Sequence, residues 1–191
     1  IFTGHGLAQA PAPVTVDLTP RQLTPRVWYI EGVTGTVSLR NQGFMSNAGF
    51  VVTDDGVVVF DALGTPALGA ALLAQIRRIT DKPVRRVVVS HYHADHFYGL
   101  QAFKDAGAEI VAHRAVRDYL ATDAPKLRLA ERRQSLAPWV TASMRIVAPD
   151  RYVDGDASFR LGGLNFRLLA AGPAHTPEDL MMLVENEGVL F

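Results

Sequence analysis

The chain has no cysteine among its 191 residues, which excludes a disulfide framework and a thiolate metal site. It also lacks an excess of either charge. Its 19 Lys plus Arg are matched by 19 Asp plus Glu, which argues against a nucleic-acid partner, whose binding draws on clustered basic side chains. The basic pairs Arg77-Arg78, Arg85-Arg86 and Arg132-Arg133 are short and scattered, and read as solvated ends of helices and strands. No apolar run approaches the roughly 20 residues that a membrane-spanning helix needs, and no repeat of solenoid length is present. What remains is an ordinary globular balance. Hydrophobic residues make up 48% and charged ones 20%, enough for one domain with a substantial core.

The two ends carry their own expectations. Ala8-Gln9-Ala10, before Pro11-Ala12-Pro13, has the small-x-small form that signal peptidase accepts. Residues 1–26 therefore read as a leader, the end of a signal peptide followed by a Pro/Thr-rich extended linker, and 27–191 as the domain. A periplasmic or secreted protein is expected, with a plain flexible leader on a cytoplasmic protein as the alternative. Gly188-Val189-Leu190-Phe191 lies within an apolar strand, so more chain is expected to follow it.

Along the chain, 27–33, 47–53 and 57–61 read as strands, with Asp54-Asp55-Gly56 as a hairpin turn. Thr65-Pro66 caps and opens a helix running to Thr80, with Leu68, Leu72, Ile76 and Ile79 at helical spacing. Asp81-Lys82-Pro83 ends it, and 84–89 reads as a strand covered on both faces. Helices are expected over 97–106, 115–121 and 126–144, the last interrupted by Pro138, and strands over 109–112, 152–153, 158–161, 164–169, 180–185 and from 189. Strand pairs mixed with strand–helix units imply an α/β chain with a mixed sheet or two packed sheets.

Three of the six histidines fall within His91-Tyr92-His93-Ala94-Asp95-His96, immediately after a buried strand. Open α/β sheets bind ligands at that place, and a chance cluster there would hide several ionisable groups without partners. Neutral imidazole is a preferred zinc ligand, and catalytic zinc keeps three protein ligands plus a water. His91 and His93 can supply two. His175, in Gly172-Pro173-Ala174-His175-Thr176-Pro177-Glu178-Asp179, is the candidate third, since it too follows an apolar strand in a Gly/Pro loop.

These residues resemble the metallo-β-lactamase superfamily. His91-x-His93-x-Asp95-His96 is similar to its metal signature, and Gly172-Pro-Ala-His175-Thr-Pro to its downstream Gly-His-Thr-Pro element with two residues inserted. The hairpin 47–61, ending in Asp61, is similar to its opening one. The resemblance implies an αββα sandwich of two mixed sheets flanked by helices, with the C-terminal portion missing. It implies a first zinc on His91, His93 and His175 and a second on Asp95 and His96, with further ligands beyond Phe191. A zinc-bound hydroxide would attack a carbonyl substrate (lactam, lactone, thioester or ester), with Asp95 orienting the nucleophile and taking its proton. Asp61 is a candidate to support a metal-bound imidazole from behind, because such rings usually donate their other N–H to a carboxylate or carbonyl. Tyr92 and Tyr98 could reach a substrate, and His113 could approach the site. The rival readings are an iron-dependent persulfide dioxygenase of the same fold and a non-catalytic truncated metal-binding domain. In each case the partner is a small molecule or the metal, without nucleic acid or membrane span.

Overall fold

In the computed structural model, residues 11–191 are described, and Ala8-Gln9-Ala10 lies outside them. Seven strands form one sheet in simple chain order: β1 (Arg21–Thr24), β2 (Val27–Ile30), β3 (Ala48–Val52), β4 (Val57–Phe60), β5 (Val84–Val88), β6 (Glu109–His113) and β7 (Arg151–Val153). From β1 to β4 the pairing is antiparallel, carried between β3 and β4 by the Asp54-Asp55-Gly56 turn. From β4 to β7 it is parallel, because each connection there contains the helices a crossover needs. These are α1 (Pro66–Ile79) after β4, α2 (Ala94–Phe97) and α3 (Leu100–Asp105) after β5, and α4 (Val116–Leu120) and α5 (Ala124–Ser135) after β6.

A second sheet contains β8 (Ala157–Leu161), β9 (Leu164–Ala170), β10 (Leu180–Val184) and β11 (Val189–Leu190), in the order β11-β10-β9-β8. Two mixed sheets were expected, but only the larger is mixed; this one is antiparallel throughout. Its strands are joined by connections without a crossover helix. The shortest is Gly162-Gly163, whose φ of +47° and +83° makes the tight turn.

Period-2 alternation sends β2 to β6 of the larger sheet into two cores. Phe50, Val59, Val87 and Ile110 bury one way, against Leu68, Leu72 and Ile76 of α1 and against Phe97, Leu100 and Phe103. Val51, Val58, Val88 and Val111 bury the other way, against Leu164, Phe166, Leu168, Met182 and Val184 of the smaller sheet. Each fully buried Leu, Ile or Phe contributes about 1.5–3 kcal/mol, so both cores stabilise the layered stack. Among the described residues, no helix contributes a buried residue to the second core, and Asn165 and Arg167 on the far face of β9 are exposed. The described residues thus build three layers, αββ, of the expected αββα.

Three local expectations change. Residues 11–26 read as extended leader, yet Arg21–Thr24 form the edge strand β1, pairing with β2. The helix expected over 97–106 is broken at Tyr98-Gly99, because its backbone bonds across to the 62–63 segment. Ala62 N donates to His96 O at 2.9 Å and Gly99 N to Leu63 O at 2.9 Å. The helix expected over 126–144 starts at Ala124 and ends at Ser135, since Pro138 has no N–H to donate and disfavours helix at the residue before it.

Candidate metal centre

Asp61 follows β4 and the His91 loop follows β5, so two neighbouring parallel strands deliver them side by side. Asp61 is buried with φ +63°, a conformation that Asp tolerates better than most residues. Its carboxylate accepts from Ser90 N at 2.7 Å and from Ser90 Oγ at 2.8 Å. His91 Nδ1 lies 2.9 Å from the same Oγ. A hydroxyl has one hydrogen, and here it goes to Asp61, so His91 Nδ1 donates and His91 Nε2 carries a lone pair. Among the described residues, Nε2 is the buried side-chain polar atom left without a hydrogen-bond partner. Burial first, and then the charge of His96, pushes the His91 pKa down to about 4. A neutral, buried imidazole with an unmet lone pair fits a metal donor, since orphaned buried polar atoms are otherwise costly.

His93 and His175 complete a converging set. His175 Nε2 lies 3.0 Å from His93 Nδ1. One ligand nitrogen from each of His91, His93 and His175 can be chosen so that all lie within 4.8 Å of one another, close enough to hold one metal ion. Burial and the neighbouring His175 also lower the His93 pKa. His175 comes from the other sheet, in the loop between β9 and β10. Asp179 closes that loop by accepting from His175 N at 2.5 Å, Thr176 N at 2.8 Å and Thr176 Oγ1 at 2.7 Å.

Asp95 and His96 flank the triad on the first turn of α2. The His96 ring lies 4.2 Å, centroid to centroid, from that of His91. Its Nδ1 meets Asp61 Oδ2 at 2.7 Å and its Nε2 lies 3.4 Å from Asp95 Oδ2. Burial alone would disfavour a charged ring, but the hydrogen bonds to the two carboxylates outweigh it and raise the His96 pKa to about 10. Reciprocally, the His96 hydrogen bond and charge overcome burial and lower the Asp95 pKa to about 2.

Residues 41–191 match the family described as the metallo-beta-lactamase superfamily. The chain belongs to that superfamily. A linear primary-alkylsulfatase from Pseudomonas sp. is 30% identical over 74 residues, which cover 36% of this chain and 14% of that enzyme's length. Among solved structures, a metallo-beta-lactamase from Pontibacter korlensis has a TM-score of 0.66 at 21% identity, over 92% of this chain and 70% of that one. The stereoselective inverting sec-alkylsulfatase Pisa1 from Pseudomonas sp. has a TM-score of 0.64 at 17% identity, over 88% of this chain and 30% of that one. These structural likenesses bear on the fold.

Within this superfamily member, the other residues singled out in the sequence fall as follows. Asp61 reaches His91 through Ser90 and His96 directly. Tyr92 stacks on Tyr119, ring centroids 4.0 Å apart. Tyr98 is buried in the helical core, its hydroxyl donating to Pro125 O at 3.3 Å. His113 stays apart, with Nδ1 accepting from Ala115 N at 3.2 Å. Sequence reasoning missed Ser90, Glu178, Asp179 and Ser46. Glu178 is buried and accepts from Tyr92 N at 3.3 Å, tying the His175 loop to the His91 loop. The Ser46 hydroxyl donates to the backbone carbonyl of Asp95. Ser90 adjoins the motif and Asp179 bonds back to the backbone three and four residues before it, signals that were present but local.

Proposed function

We propose that this chain forms the metal-binding core of a zinc-dependent hydrolase acting on a carbonyl substrate, a lactam, lactone, thioester or ester. The observation that carries this reading is the convergence of His91, His93 and His175, with His91 Nε2 buried and otherwise unpartnered. These three would hold the first zinc, whose all-imidazole donor set suits that ion. Asp95 and His96 would contribute to a second. Zinc, when bound, supplies Lewis acidity and lowers the pKa of coordinated water to about 7.

The chain's own groups do the rest. Asp61 and Ser90 fix the His91 ring with Nδ1 protonated. The Asp95 carboxylate, ionised at neutral pH, orients the attacking water and accepts its proton during attack. The His175 loop closes the site from the other sheet. A second reading, hydrolysis of a sulfate ester, draws support from the similarity to alkylsulfatases.

Elemental analysis of purified protein, followed by assay against nitrocefin, p-nitrophenyl acetate, a thioester and p-nitrophenyl sulfate, tests both. Zinc with carbonyl turnover that His175→Ala and Asp95→Ala remove supports the first reading; sulfate turnover alone moves the assignment to the second. Iron with persulfide oxidation, or a zinc content that His91→Ala and His175→Ala leave unchanged, overturns both. Export is also proposed, on Ala8-Gln9-Ala10. Recovery of a native product that keeps residues 1–10 would refute it.

A further inference from the structure

The helix that carries Asp95 and His96 is too short to hold itself. α2 spans only Ala94–Phe97. In an unbroken helix Asp95 O would accept from Gly99 N, but here Gly99 N donates to Leu63 O. That leaves the Asp95 carbonyl open to a donor from elsewhere, and the buried Ser46 hydroxyl fills the place. Ser46 lies on the connection between β2 and β3. A Cβ on Gly64 would sit 2.7 Å from Gly43 O and 3.3 Å from Asp95 Cα. The Gly43 and Asp95 backbones thus meet across Gly64 with no room for a side chain between them.

The same connection is gripped from the N-terminal side. Pro11, Pro13 and Pro20 favour extended chain at and before their positions. Val14, Val16 and Leu18 turn inward and pack on the helical core, while Pro13, Thr15, Asp17 and Thr19 are exposed. Ala12 N donates to Pro138 O and Trp139 Nε1 to Pro13 O, both at 3.2 Å. Further along, this extended stretch meets Gln42, a buried residue at φ +55°. Thr15 N donates to Gln42 Oε1 at 2.8 Å, and Gln42 Nε2 donates to Thr15 Oγ1. One residue of the stretch therefore satisfies both ends of a buried amide, which is costly to leave unmet.

We propose that residues 11–18 form a strap that positions Asp95, acting through Gln42 and Ser46. The strap precedes residues 41–191, which match the superfamily. Its catalytic consequence rests on the reading of Asp95 as the group that orients the attacking water.

The test is amide hydrogen exchange, followed by NMR on metal-free protein. Gln42→Asn keeps a residue that tolerates positive φ but is one methylene too short to hold Thr15. Ser46→Ala removes the donor to Asp95 O. Each should speed exchange at Tyr98 N and Gly99 N about tenfold, with the amides of β5 and β6 changed less than about twofold. Each should also move the ring 15N shifts of His96, whose Nε2 lies 3.4 Å from Asp95 Oδ2. Thr15→Val, at an exposed position, should shift the same amides as Gln42→Asn, and Thr15→Ser, which keeps the hydroxyl, should restore them. The double variant Gln42→Asn, Ser46→Ala should exchange no faster at these amides than Ser46→Ala alone, since both changes break one line of contacts. Unchanged exchange at Tyr98 and Gly99 in Gln42→Asn and Thr15→Val overturns the proposal. So does equal acceleration in β5 and β6, which would make the strap a source of general stability only, or full additivity in the double variant. Failure of the hydrolase reading shows instead as absent zinc or absent turnover in the unmutated protein, and leaves the exchange result standing.

Discussion

Asp61→Asn isolates the charge at the centre of the site. Asn keeps the side-chain size and tolerates the +63° φ, so the backbone is preserved. What changes is the acceptor for three contacts at 2.7–2.8 Å, from Ser90 N, Ser90 Oγ and His96 Nδ1. Hydrogen bonds to a charged group contribute about 1.5–3 kcal/mol each. Asn still offers one oxygen, to Ser90 N, and its NH2 faces the other two groups. A net loss of about 2–3 kcal/mol is expected, from the weakened His96 and Ser90 contacts. The His96 pKa is raised from 6.5 to about 10 by Asp61 and Asp95. A raised folded-state pKa gives stability that is fully present below about 6.5 and lost as pH rises through about 10. In metal-stripped wild type, His96 should therefore stay doubly protonated at pH 8, while in Asp61→Asn it should titrate below 8 and keep its proton on Nε2, where a metal would bind. Ring 15N shifts followed from pH 5 to 9, with urea unfolding at pH 7, measure both. A wild-type His96 that titrates near 6.5, or an Asn variant that keeps it charged at pH 8.5, would refute the reasoning.

Other perturbations separate fold from site. A Cβ on Gly99 would sit 1.8 Å from Ala62 O, so Gly99→Ala should cost more than about 3 kcal/mol, or prevent folding, as read by urea unfolding and soluble yield. Asp179→Asn weakens three bonds that hold the His175 turn. Metal affinity should fall about 10–100-fold with only about 1–2 kcal/mol of stability, and equal affinities in a zinc competition assay would count against the role given to that turn. The Thr65 hydroxyl caps α1 by accepting from Leu68 N at 3.1 Å. Thr65→Ala should cost about 1–2 kcal/mol in urea unfolding and leave metal content unchanged.

How much of this was legible depended on whether the signal was local. His91, His93, Asp95 and His96 sit within six residues, so spacing alone exposed them. Thr65-Pro66 declared its helix start because capping chemistry is local, and the structure places the cap there. Asp61 was visible only as a strand-terminal carboxylate, since its partners Ser90 and His96 are 29 and 35 residues away. Glu178 resembles a solvated acidic residue in sequence. Its task, holding Tyr92 N across 86 residues, exists only after the two sheets meet. Arg21–Thr24 reads as leader because a four-residue edge strand with three exposed side chains has no apolar pattern to announce it. The single helix expected over 97–106 followed propensity, and lost to backbone bonds with the 62–63 segment that no periodicity reports.

On the proposed ligand set, metal binding is coupled to the docking of the two sheets. His91 and His93 belong to the larger sheet and His175 to the smaller. The clamps between them are Leu180 N to Ser90 O at 2.9 Å and Tyr92 N to Glu178 Oε1 at 3.3 Å. Loosening the second core should therefore weaken the metal before it disturbs the helices. Phe166 is fully buried in that core and stacks on Phe159 with centroids 4.7 Å apart. Phe166→Leu keeps the site apolar, and should cost about 1–2 kcal/mol through lost packing volume. If zinc binds the docked state, as proposed, the destabilisation should be largest in chelator and shrink as free zinc rises. Hydrogen exchange should show lowered protection in β9 and β10, with the amides of α1 changed less. If Phe166→Leu lowers protection in α1 and β10 equally while zinc affinity stays at the wild-type value, the sheets do not open separately. The third ligand would then be held by its own loop rather than by the packing between the layers.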